Sequence, residues 1–146
     1  MHFEGTFDIK APRQKVWEFV SVPNNIAKCL PDLQKLEVLA PDRFKATVKA
    51  GIGFVKGTIN FEFAMRDMQP PTHAKLSGHG SGTGSTVDLE TVMDLGDLPD
   101  GGTRMAWKAD VKVGGLIASV GQRLLEGAAQ KIVSNLFACL KKQLEG

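Results

Sequence analysis

The sequence predicts an α+β domain in which a curved antiparallel sheet of about seven strands wraps around one long C-terminal helix. Three observations predict it. Apolar and polar residues alternate through most of the chain up to Val113, a short helical insert with two prolines interrupts this pattern after the first strand, and the last stretch carries a single long helical periodicity.

Composition sets the frame for those elements. The chain has 146 residues, of which 42% are hydrophobic, so one domain over 1–146 can bury a substantial core. There is neither a low-complexity segment nor an internal repeat. A net charge of +2, dispersed along the chain, lacks the concentrated basic footprint of a nucleic-acid binder.

The first strand spans 2–10, with Phe3, Gly5, Phe7 and Ile9 on one side and His2, Glu4, Thr6, Asp8 and Lys10 on the other. Pro12 suits a first helical turn, and Val16, Trp17, Phe19 and Val20 form the apolar face of a short helix that Pro23 ends. Asn24 or Asn25 is placed to cap a second short helix, which stops before Leu30 and Pro31. A weaker strand over 35–39 and clear ones over 43–50 and 55–66 follow. Between the last two lie Gly51, Ile52, Gly53 and Phe54, an apolar hairpin tip where polar residues are usual.

After Pro70 and Pro71 come strands over 73–80, 86–95 and 104–113, the last two separated by the Pro99, Asp100, Gly101 turn. Gly78, Gly80, Gly82 and Gly84 recur at every second position, leaving one face of their strand bare. Such a face fits a bulged, strongly bent strand; it also fits a surface that yields its volume to a bound molecule or to the helix backbone. The stretch 114–144 reads as one continuous helix, and about 28 helical residues would span roughly 40 Å. Its first half is rich in Gly and Ala, which lets another surface or a ligand approach the backbone.

The chemistry on offer is sparse. The three histidines, His2, His73 and His79, have no Cys or carboxylate at a metal-ligand spacing beside them, so no metal site is expected. No catalytic set of nucleophile, base and orienting group is evident, and tyrosine is absent altogether. Asp88, Glu90 and Asp94 share a parity that reads as a solvated outer face, and the Gly-x-Gly run lies between strands and so is no phosphate loop. The N-terminal residues lack the basic and apolar regions of a secretory signal, and no stretch of about 18 apolar residues could span a membrane. Cys29 and Cys139 are accordingly expected to be two reduced, buried thiols in the cytoplasm.

Several motifs carry a resemblance. They are Phe3 to Phe7 with Ala11, Pro12, Val16 and Trp17; Cys29, Leu30 and Pro31; Lys49 to Gly53 with Lys56 and Gly57; the Gly80, Gly82, Gly84 run; Gly102, Thr103 and Arg104; and Val113, Gly114 and Gly115. In this order, over nearly the whole chain, they resemble the carbon monoxide dehydrogenase CoxG family of the START-like, helix-grip superfamily. Asp32 stands where that family usually has glycine. The resemblance implies a hydrophobic cavity between sheet and helix. It also implies association with a molybdenum-containing carbon monoxide dehydrogenase or related hydroxylase, at the membrane or in handling a lipid or quinone.

The candidate cavity lining is Phe44, Phe61, Phe63, Leu76, Leu89, Met93, Met105 and Trp107, which share one parity, with Leu124, Leu125, Ala128 and Ile132 of the helix. By parity alone these residues fit a packed core; the resemblance brings a lined cavity level with it. Leu30, Pro31, Ile52, Phe54, Leu116 and Ile117 are the candidate entrance or membrane-facing residues, with Lys28, Lys49 and Lys56 near them in sequence. The leading expectation is a non-enzymatic, cytoplasmic carrier, peripheral at the inner membrane face. It has no catalytic residues and no cofactor other than a bound quinone or lipid, and its partners are a hydrophobic small molecule and a molybdenum hydroxylase complex. The alternatives are an interaction or assembly subunit with a solid core and, third, a cyclase-like enzyme.

Overall fold

The computed structural model describes residues 1–30 and 32–145. Strand β1 (His2–Ile9) is followed by the short helices α1 (Arg13–Val20) and α2 (Pro23–Ala27). Six strands then run without interruption: β2 (Leu33–Ala40), β3 (Arg43–Ile52), β4 (Val55–Gln69), β5 (His73–Gly82), β6 (Ser85–Asp97) and β7 (Thr103–Gly115). A 3-10 turn (Leu116–Val120) leads into helix α3 (Gln122–Glu145). The seven strands form one sheet in the order β1-β7-β6-β5-β4-β3-β2, and every pairing is antiparallel. Consecutive hairpins account for all of it except β1, which the helical insert frees to pair with β7 at the far edge.

Local chemistry explains most element boundaries. Pro12, at φ −62°, caps α1, and Pro23 begins α2, a position where the missing N–H costs nothing. This corrects the expected Asn24 or Asn25 cap: Val22 stands at the N-cap and no side chain caps the helix. Asp32 adopts φ 56°, the left-handed region that glycine occupies freely, so the loop keeps a glycine-like backbone despite its side chain.

The long helix is shorter than its sequence suggested. β7 extends through Gly115, and Gly121, at φ 98°, separates the 3-10 turn from α3. A residue with that φ cannot continue a right-handed helix, so only Gln122–Glu145 is α-helical, 24 residues or roughly 36 Å. The alternating glycines also have a specific partner. Gly78 faces Phe63 and Gly80 faces Phe61 across the β4–β5 ladder, and a β-carbon at Gly78 or Gly80 would come within 2.7 or 2.5 Å of those rings. At Gly78 and Gly80 the bare face is thus taken by aromatic rings of the neighbouring strand.

The cysteines are a second correction. Cys29 and Cys139 form a disulfide with their Cα atoms 5.5 Å apart, joining the end of α2 to α3. They are 110 residues apart, and in a chain-entropy treatment closing such a loop is worth about 4–5 kcal/mol. Nothing in their sequence spacing reveals that α3 returns across α2.

Candidate functional site

The inner, concave face of the sheet carries the residues of one strand parity, and α3 lies across it. The core it forms is divided into three clusters. The first joins Ile9, Val16, Trp17, Leu95 and Met105 to Phe137, Leu140 and Leu144 of α3. The second joins Ala50, Val55 and Ile59 to Ile117 and Leu125. The third, Phe44, Ala46, Phe63 and Met65, takes no residue from α3.

α3 is therefore anchored near its start by Leu125 and over its last turns by Phe137, Leu140 and Leu144, and no residue between them is fully buried. Opposite this middle stretch the sheet presents Phe61, Leu76, Leu89, Met93 and Trp107, all half-buried. Along this stretch of the helix Ala128 and Ala129 are half-buried, Gly127 is exposed, and Val133 and Leu136 pack against the first cluster. This half-buried apolar part of the inner face is the candidate trough.

Aromatic rings shape the trough. Phe61 stacks on Phe63 at 5.3 Å, and Phe63 on Phe44 at 5.0 Å. Phe137 stacks on Phe7 at 4.4 Å and tilts against Trp107 at 5.8 Å, within the range of favourable aromatic pairs. Trp107 lies over Gly5, its partner across the β1–β7 ladder, where an added β-carbon would be 3.3 Å from the indole. Between the end of β7 and the start of α3 a cleft of about 450 Å³ opens, lined by Met1, Val111, Lys112, Val113, Ala118, Gln122 and Leu125. On α3, Leu124 and Ile132 are 46% and 45% exposed.

The interior is chemically quiet. The buried polar side chains are Ser85 and Thr103; Ser85 Oγ accepts the Ile117 N–H at 2.9 Å, and Thr103 donates to the Ala11 carbonyl at 2.7 Å. Among the described residues no buried side-chain nitrogen or oxygen lacks a partner. A molecule there would meet apolar side chains. Charges lie on the convex face as cross-strand pairs: Arg43 with Glu62, Arg66 with Glu90, His79 with Asp88, His73 with Asp94 and Arg104 with Asp8. His2 bonds both Glu4 and Asp110, and these carboxylates raise its pKa above the usual histidine value. The Arg104 guanidinium holds the Asp8 carboxyl below its ordinary range. A second hollow, about 380 Å³, is lined by Lys35, Glu37, Lys45 and His79 together with the apolar Ala46 and Phe61.

The expected site residues are thus distributed unevenly. Phe61, Leu76, Leu89, Met93 and Trp107 form the half-buried surface of the candidate trough and Ala128 is half-buried on α3, while Phe44, Phe63, Met105 and Leu125 are buried in the packed clusters. Leu124 and Ile132 stand on the exposed flank of α3. Of the expected entrance, Phe54 and Leu116 are 60% and 42% exposed, and Leu30 and Ile52 are half-buried against the third and second clusters. Pro31 lies outside the described residues. Ile117 corrects the expectation: it is 3% exposed, because the 3-10 turn points it into the second cluster while Leu116 points out. Val87, Val111 and Val113, half-buried on the inner face, were left out of the expected lining although they share the parity of Leu89 and Trp107.

The fold and the sequence point the same way. A sequence model of the CoxG subunit of carbon monoxide dehydrogenase matches residues 5–145. No curated protein matches the chain. Among solved structures, a conserved protein from Geobacillus kaustophilus superposes with a TM-score of 0.92 at 31% identity, over 99% of this chain and 95% of that one. A START superfamily protein from Mycobacterium smegmatis gives a TM-score of 0.75 at 16% identity, over 99% of this chain and 97% of the other. A protein from Thermus thermophilus gives 0.70 at 16%, with the same coverage; at that identity the last two speak to the fold alone. The chain belongs to the CoxG family of carbon monoxide dehydrogenase subunits and has a START-like fold.

Proposed function

We propose that this protein holds the chain of a lipid or quinone in the trough between α3 and the sheet, and that it does so as an accessory of a molybdenum-containing carbon monoxide dehydrogenase or related hydroxylase. The observation that supports the reading is the divided core: α3 buries Leu125 near its start and Phe137, Leu140 and Leu144 toward its end with no fully buried residue between, while Phe61, Leu89 and Trp107 on the inner face of the sheet are only half-buried. A domain of this size built only for stability would close that gap with bulky side chains. The hydroxylase partner rests on family membership, and the role is that of a carrier, with no catalytic residue.

A place at the cytoplasmic membrane face is part of the same proposal. Phe54, Leu116 and Leu124 are exposed near one end of the molecule. A β-carbon at Gly53, next to Phe54, would lie 3.1 Å from Leu124 Cδ2, and the Leu116 N–H donates to the Gly84 carbonyl of the adjacent turn. Lys49 and Lys56 are exposed on the same hairpin as Phe54, where anionic headgroups would favour each by about 1 kcal/mol. No helix among the described residues is long and apolar enough to cross a membrane, so the contact proposed is peripheral.

Native mass spectrometry of protein purified without detergent, before and after incubation with an isoprenoid quinone, tests the carrier. A co-purifying or newly bound lipid or quinone at one per chain is the expected result; neither, in either sample, would leave the trough an interaction surface of an assembly subunit.

A further inference from the structure

The disulfide ties the turn after α2 to α3. Cys139 lies seven residues after Ile132 and fifteen after Leu124, so helical geometry puts all three, with Ala128, along one side of α3. That is the side on which Leu124 and Ile132 are exposed. Cys29 closes the turn after α2, its N–H bonded to the Ile26 carbonyl, and is followed by Leu30, which packs on the third cluster. Cys139 Sγ lies 3.8 Å from the Lys28 carbonyl oxygen, but a disulfide sulfur has no proton to donate, so this is a contact and not a hydrogen bond. The covalent bond adds to the apolar packing of Cys29 with Phe137 and Leu140 in the first cluster.

We propose that the Cys29–Cys139 disulfide is a redox latch on the trough, opened by a protein dithiol of the thioredoxin class. The proposal concerns regulation of the ligand site and rests on the carrier reading. Disulfides in a reducing compartment are mostly redox-responsive, so a protein working at the cytoplasmic membrane face has reason to use this one as a switch. A thiolate of the dithiol attacks Cys139 Sγ, the half-buried sulfur, while Cys29 is buried. The Sγ–Sγ bond breaks, Cys29 leaves as a thiolate and takes a proton, and the mixed disulfide is resolved by the second thiol of the reductant. Two electrons pass from the dithiol, which becomes a disulfide, to the protein, which ends with two thiols. α2 and its following turn are then free to part from α3, widening the gap beside Leu124, Ala128 and Ile132.

Hydrogen exchange of the full chain, oxidised and after reduction, tests the latch without any ligand. Amides in 26–30 and 126–139 are expected to exchange at least about tenfold faster in the reduced protein, those of β4 to β7 at unchanged rates. In parallel, release of a fluorescent acyl-chain probe is expected to quicken about tenfold on reduction, and a Cys29→Ser/Cys139→Ser double variant to behave as the reduced protein. Should the double variant fail to fold, reduction of the unaltered chain still decides the matter. Equal exchange in both redox states, or two free thiols found by alkylation of protein isolated without reductant, would overturn the latch. Exchange that differs while the probe binds neither form would support the latch and remove the carrier reading instead.

Discussion

The Phe61 ring occupies the space that a side chain on Gly80 would fill: these residues face each other across β4 and β5, and an added β-carbon would lie 2.5 Å from the ring. The two positions are one packing unit. Gly80→Ala is expected to push Phe61 toward the trough and to cost about 1–3 kcal/mol, as overpacking does. Phe61→Ala combined with it should recover part of that loss, and a double-mutant cycle by urea unfolding measures the coupling.

Ile117 and Phe54, both expected at the trough entrance, should respond to substitution in opposite ways. Ile117→Ala is expected to cost about 2–5 kcal/mol in chemical unfolding, since it empties part of the second cluster. Phe54→Asp should stay within about 0.5 kcal/mol of the parent, because Phe54 is mostly exposed. The same substitution should weaken sedimentation with anionic liposomes several-fold, whereas a neutral vesicle should show little binding by either protein.

The edge strand carries a pH-dependent contact. His2 has its pKa raised by hydrogen bonds to Glu4 and then Asp110, so it keeps a proton in the folded state where the unfolded chain has lost it. Its contribution is complete below the unfolded value of about 6.5 and disappears as pH rises through the higher folded value. The melting temperature of His2→Gln is therefore expected to fall slightly below the parent's at about pH 5.5–6.5 and to converge with it at about pH 9. Asp8 behaves oppositely: Arg104 lowers its pKa, so the gain is present above about pH 3.8 and is lost as pH falls through the folded value.

Filling the gap under α3 is expected to separate capacity from stability. Ala128→Phe places a ring in the trough from the helix side, and should abolish uptake of a fluorescent acyl-chain probe while moving the thermal midpoint by only a few degrees. A Phe at Gln130, exposed on the helix, serves as the control and should leave uptake unchanged.

Alternation made the sheet legible. Strands such as β4 bury one face, so Val55, Ile59, Phe63 and Met65 announce both the strand and its inward side. The α+β class followed from those faces and the terminal periodicity, and the helix-grip assignment from the family resemblance. What the sequence could not show were relationships between distant segments. The break at Gly121 was hidden because glycine also occurs inside the helix, at Gly127, where its backbone is ordinary. The Cys29–Cys139 bond depends on α3 passing over α2, and the division of the inner face into packed clusters and trough depends on how far α3 stands from each strand. Parity put Phe44 and Phe61 on the same face; only their depth, fully buried against half-buried, distinguishes core from lining.

The central claim is that the trough beside Trp107 takes an apolar chain. The protein has two tryptophans, and Trp17→Phe leaves Trp107 as the sole indole. Titrating that variant with an isoprenoid quinone while reading its fluorescence is the most direct measurement. Saturable quenching at one quinone per chain, lost when Ala128→Phe is added, is the expected result; quenching that never saturates, or that survives Ala128→Phe unchanged, would contradict the claim.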